Sequence, residues 1–118
     1  MKRGHKDLRA WQSAMLLVED IYRLTSTFPK EELFGLSSQM RRAAVSVPSN
    51  IAEGSARNGT KELLYFLGMA TGSLAELDTQ LELVYRLKYC DDISPAQARL
   101  DEVSALTLAL MKSLKDKV

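Results

Sequence analysis

Leu63, Leu67, Ala70, Leu74, Leu77, Leu81 and Val84 follow one another at steps of four and three without a break. That spacing lines one side of an α-helix and fits no strand, in which side chains alternate between faces every second residue. It predicts a long third helix. Asn58-Gly59 signals a turn before it, Thr60 is the expected N-cap, and Asp91-Asp92 breaks the pattern at the far end. An apolar stripe of that length has to be covered, and helices are the elements on offer.

Helix one carries two such rows. Leu8, Trp11, Met15, Val18 and Tyr22 form the expected core seam, and Ala14, Leu17, Ile21, Leu24 and Phe28 run beside it. Pro29 is expected to end this helix, with residues 30–34 as a connection. Helix two is expected from about Gly35 to about Arg57, with Leu36, Met40, Ala43, Val47 and Ile51 inward. Ser94-Pro95-Ala96-Gln97 has the form of a capping box with proline in the first turn, and Leu100, Val103, Leu106, Leu110 and Leu114 follow as the inward row of helix four. The connections are short, which favours antiparallel neighbours. The predicted fold is all-α: an antiparallel up-down four-helix bundle, kinked in helix two at Pro48, forming a single domain over residues 1–118. With 118 residues, 46% hydrophobic and 26% charged, the chain has the length and apolar content for one core.

The formal net charge of +1 makes no general case for a polyanion partner, but the charges are unevenly placed. Lys2, Arg3, Lys6 and Arg9 face only Asp7 at the N-terminus. Arg41, Arg42, Arg57 and Lys61 outweigh Glu53, and residues 76–102 lean acidic. Cys90 is the single cysteine, so no intrachain disulfide forms, as suits a reducing compartment. The N-terminal segment lacks the pattern of a signal peptide, and the longest uncharged run, residues 63–75, falls short of the roughly 20 residues needed to span a bilayer. The expected location is the cytoplasm, without membrane attachment.

The stretch RRAAVSVPSNIAEG, residues 41–54, is the least ordinary part of the chain. Arg42, Ser46, Asn50, Glu53 and Arg57 form one polar row on a helical template, opposite Met40, Ala43, Val47, Ile51 and Gly54. Pro48 interrupts the ladder: it has no N–H for the Ala44 carbonyl, and an interior proline costs about 3 kcal/mol. Ser46, Ser49 and Asn50 are placed to bond locally freed backbone groups, and small residues permit a close helix crossing. Two short helices meeting at Pro48 are the competing local reading. The plain account of the polar row is a solvated face with a weak Glu53–Arg57 pair. The functional account makes Arg41, Arg42, Arg57 and Lys61 a phosphate-contacting patch, since arginine's planar fork suits phosphate.

Catalytic chemistry finds little support. Bundle di-iron sites need Glu-x-x-His pairs, and the only histidine, His5, precedes helix one. Cys90 lacks a nearby histidine, no glycine-rich phosphate loop is present, and Gly68 and Gly72 fall inside helix three, where close packing is the expected role. Neither an enzyme, nor a metal site, nor a cofactor is expected.

DLRAWQSA (7–14), FGLSSQMRRAAVSVPSNIAEG (34–54), TKELLYFL (60–67) and GSLAELDTQL (72–81) together resemble the four-helix-bundle proteins encoded in intervening sequences of bacterial 23S ribosomal RNA genes. That family includes the accessory variability determinant of diversity-generating retroelements. The resemblance spans about residues 7–90. It implies a ring-like homopentamer and, for the retroelement branch, a basic surface that binds RNA or DNA and a partner reverse transcriptase. Arg41 and Arg42 match the family's QxRRA, Asn50, Glu53 and Gly54 match its NIAEG, and Trp11 and Pro48 lie within matching blocks. Trp11, Pro48, Asn50, Glu53 and Gly54 are candidate family-motif or assembly positions, and the match is equally compatible with assembly and with ligand binding at Arg41 and Arg42. His5-Lys6 stand where relatives often carry an aromatic, and the near-neutral charge departs from the strongly basic branch. The expected function is that of a non-enzymatic homo-oligomer acting as a nucleic-acid-associated accessory or scaffold; the alternative is a protein interaction module with no nucleic-acid role.

Overall fold

A computed structural model describes residues 4–117; Lys2 and Arg3 of the basic N-terminus lie outside the described residues. Four helices account for most of it: α1 (Arg9–Thr25), α2 (Leu36–Ala56), α3 (Thr60–Arg86) and α4 (Ser94–Lys115), with single tight turns at Gly4–Asp7 and Lys30–Glu32. No strand occurs among the described residues. α1 packs between α2 and α4, and α3 packs between the same two, closing a four-sided core. The molecule is 45 Å long and about 22 Å across, the length set by α3, whose 27 residues span about 40 Å at 1.5 Å each.

The stripe on α3 behaves as its spacing predicts: Leu67, Ala70, Leu74, Leu77, Leu81 and Val84 are buried and Leu63 is half-buried. Met40, Val47 and Ile51 of α2 and Leu100 and Val103 of α4 meet it in the same core. Leu106, Leu110 and Leu114 flank the core and are only half-buried, while Thr107 is fully buried, its hydroxyl donating to the Val103 carbonyl at 2.8 Å.

On α1 the two rows exchange roles. Ala14, Leu17 and Ile21 are fully buried, whereas Met15 and Tyr22 of the expected seam are exposed. Both rows have helical spacing, so periodicity alone does not say which one points inward. Contact with α2 on one side and α4 on the other decides it. The α1–α4 seam is also partly polar: Ser13 donates to Glu102, and Asp20 pairs with Arg99 at 3.0 Å.

Helix ends depart from expectation in three places. α1 stops at Thr25, short of Pro29, because the hydroxyls of Thr25, Ser26 and Thr27 donate to the carbonyls of Ile21, Arg23 and Leu24 and so satisfy the end of the helix. Thr60 is the first residue of α3, and its side chain makes no cap; Gly59 precedes it at φ 121°. At α4 the carboxylate of Asp92 accepts from both the backbone N–H and the hydroxyl of Ser94, replacing the expected capping box.

Helix α2 is continuous through Pro48, which is buried, so the two-helix reading is set aside. Ser46 donates to the Ala43 carbonyl and accepts from the hydroxyl of Ser73 on α3, and Asn50 donates to the Ser46 carbonyl at 2.8 Å. These side chains brace neighbouring carbonyls, not that of Ala44. Gly54 lies where α2 meets α3: a Cβ there would stand 2.8 Å from Phe66 Cβ and 3.0 Å from Leu63 Cδ1. Gly68 and Gly72 are the reverse of what was expected. Both are exposed, with nothing within 4 Å of a Cβ.

The three glycines therefore respond oppositely to alanine. Gly54→Ala forces the helices apart and lowers stability by roughly 1–2 kcal/mol net of its better helix propensity. Gly68→Ala and Gly72→Ala each raise it by roughly 0.5–1 kcal/mol. Urea unfolding midpoints of the three variants read the sign directly, and a destabilised Gly68→Ala would contradict the open space above that position.

Candidate nucleic-acid interface

Arg41 and Arg42 project from the second turn of α2, on the side where α1 ends. Arg41 is half-buried: its Nε donates to Thr25 Oγ1 at 2.8 Å, and its guanidinium lies 4.8 Å above the centre of the Tyr22 ring. Arg42 is exposed. Neither forms an ion pair among the described residues. Both line an open groove of about 620 Å³ whose other walls include Tyr22, Leu33, Phe34 and Val45, and which contains no carboxylate.

Arg57 and Lys61 are elsewhere. They follow α2 and begin α3, some 15 residues along from Arg42, or about 22 Å at the helical rise. The four cations thus form two pairs, not the single patch expected, because a continuous helix of 21 residues carries its ends apart. Arg57 is also already partnered: Glu53 meets it at 2.7 Å, and its guanidinium stacks 5.1 Å from the Phe66 ring. The hydrogen bond to Glu53 raises its pKa further. Lys61 is exposed in the first turn of α3 beside Glu62.

The remaining motif positions serve the fold of the single chain. Pro48 is buried, Asn50 bonds its own helix, Glu53 holds Arg57 and Gly54 admits α3. Trp11 is half-buried, and the His5 ring packs edge-on against it at 5.1 Å. His5 is therefore a packed residue, and not merely solvated. Among the described residues no group of three or more His, Cys, Asp or Glu is arranged to hold a metal, and no helix is long and apolar enough to cross a membrane.

Sequence reasoning missed the aromatic component. Tyr22 was assigned to the core seam, and Phe34 to a connection. Phe34 is 92% exposed. Its segment is nonetheless held in place, because Glu32 accepts from the Tyr89 hydroxyl at 2.7 Å through one oxygen and from the Leu36 N–H at 3.2 Å through the other. Tyr89 in turn packs on the buried Phe28, ring centres 5.4 Å apart. The only hint in sequence is two adjacent apolar residues, Leu33-Phe34, in a stretch that is otherwise charged.

The Glu32–Tyr89 bond lowers the Glu32 pKa, with the Leu36 N–H adding to it, and raises that of Tyr89. A depressed carboxylate contributes stability above its unfolded pKa and loses it as pH falls through the folded value; a raised phenol contributes below its unfolded pKa and loses it as pH rises through the folded value. Stability should therefore be level from about pH 5 to 9 and decline on both sides. In Tyr89→Phe the alkaline decline shrinks and the acid one softens. Denaturant midpoints measured across pH for both proteins test this, and identical profiles would refute the clamp.

The model of the family described as 23S rRNA-intervening sequence protein matches residues 6–109. No curated protein matches the chain.

Proposed function

The chain belongs to the family of 23S rRNA-intervening sequence proteins, and from that premise we propose that it is a non-enzymatic, homo-oligomeric accessory protein that associates with nucleic acid in the cytoplasm. The observation that carries this reading is the groove beside α2, in which two unpaired arginines stand without a carboxylate. Arginines in that state attract phosphate, and their planar forks suit it. Arg57 and Lys61 contribute less, since Glu53 already neutralises Arg57.

The assembly part of the reading has its own support. Met15, Leu16, Tyr65 and Met69 are exposed apolar side chains on α1 and α3. A pentamer and a reverse-transcriptase partner rest on the family resemblance alone. The up-down antiparallel arrangement is supported by contacts that run in opposite directions along α2 and α3: Gly54 meets Leu63 and Phe66, while Ser46 meets Ser73. A kink in α2 follows from the N–H that Pro48 lacks.

A second reading, a protein interaction module, is favoured by the apolar content of the same groove. Fluorescence anisotropy of labelled RNA and DNA across a salt series separates the two. Micromolar or tighter binding should weaken as salt rises. Replacing Arg41 and Arg42 by Ala should lower the salt slope by about one for each arginine removed and leave the oligomer intact, whereas Arg57→Ala changes little. No binding at low salt, or dissociation of the double variant into monomers, would favour the interaction module.

A further inference from the structure

We propose that the groove between α1 and α2 is a site for single-stranded nucleic acid, in which an unpaired base stacks on Phe34 while the adjoining phosphates rest on Arg41 and Arg42. The inference rests on the nucleic-acid reading above and narrows it to one class of ligand.

Three observations converge. Phe34 is the most exposed of the large apolar side chains among the described residues, at 92%. Scattered apolar residues at a surface need no explanation, but this one stands at the lip of a groove with Leu33, Tyr22 and Val45 exposed beside it. The backbone that carries it is fixed. Glu32 bonds Tyr89 and the Leu36 N–H, and the turn is closed by hydrogen bonds from the N–H of Leu33 to the Lys30 carbonyl and of Gly35 to the Glu32 carbonyl, at 3.1 and 3.0 Å. An aromatic face held in water on a pinned turn is a stacking platform whose backbone is already ordered before ligand arrives.

Charge supplies the second element. Arg41 is oriented by Thr25 and Tyr22 through Nε and its flat face, which leaves its terminal nitrogens for an anion, and Arg42 is unengaged. Their charges act in a groove with no Asp or Glu in its wall. The third element is a boundary. The hollow adjoining the groove shares Phe34, Ser38, Arg42 and Ser46 but ends at Glu76. A phosphate chain is therefore favoured on the Arg41 side and repelled on the other. A double helix presents its bases already stacked and paired, so only an unpaired base can use the ring of Phe34. A peptide of acidic residues alone would meet the arginines but has no aromatic face for that ring.

The test compares an oligonucleotide of about 12 residues as a labelled single strand, in RNA and DNA forms, with the duplex of the same sequence and with polyglutamate as competitor. The wild-type chain and the variants Phe34→Ala, Phe34→Leu and Phe34→Tyr are titrated by anisotropy. Because Phe34 is exposed, none of these changes touches the core. The single strand should bind more tightly than the duplex. Phe34→Ala should weaken the single strand by about 10- to 100-fold with little effect on the duplex, Phe34→Tyr should restore it, and Phe34→Leu should not. If Phe34→Leu keeps full affinity, if polyglutamate displaces the strand at equal charge, or if Phe34→Ala alters the oligomeric state, the ring serves a protein contact and the inference falls. Equal binding of single strand and duplex, indifferent to Phe34, overturns the stacking site and spares the wider nucleic-acid reading. Failure of both to bind overturns both.

Discussion

The approach of α2 to α3 at Gly54 sets the geometry on which the rest of the molecule depends. With Phe66 Cβ placed 2.8 Å from where a side chain would begin, no residue but glycine lets the two backbones come so near. Closeness at this point brings Val47 and Ile51 onto the leucine stripe of α3 and puts Ser46 within reach of Ser73 further along.

A second constraint acts at the opposite end of α2. Glu32 gives one oxygen to the Leu36 N–H and the other to Tyr89, so that a short connection becomes a fixed shelf between α1 and α2. Gly35 belongs to that device, since a Cβ there would stand 2.8 Å from Glu32 Oε1 and crowd the carboxylate out of its capping position. The bond joins residues 57 apart in sequence. Through it the segment that follows α3 bears on the shape of the groove, although no residue of that segment lines it.

How much of this could be read beforehand varied with the kind of force involved. The number of helices, the α3 stripe and the inward row of α2 were legible, since the burial of leucines at regular spacing leaves a periodic mark. The inward side of α1 was not, because its two apolar rows have the same period and only the positions of α2 and α4 distinguish them. Gly54 and Gly68 look alike in sequence, yet one is buried at a crossing and the other faces open space. The arginine pair at 41 and 42 could be singled out by charge. Its separation from Arg57 and Lys61 could have been seen from helix length alone. What could not be seen was Phe34, whose significance lies in a hydrogen bond made by Glu32 to a tyrosine far along the chain.

The pairing of α1 with α4 bears on how the chain assembles as it is synthesised. α2 and α3 are neighbours in sequence and can associate as soon as both have emerged, whereas α1 has one of its two flanks empty until α4 is made. The groups left waiting are not only apolar: Ser13 and Asp20 have their partners, Glu102 and Arg99, about 80 to 90 positions later. During that interval Asp20 has only Arg23 of its own helix as a partner, at 2.8 Å, and Ser13 has water; hydrated polar groups tolerate such a delay better than leucines would. The polar cross-links between α1 and α4 thus form only when the last helix is in place.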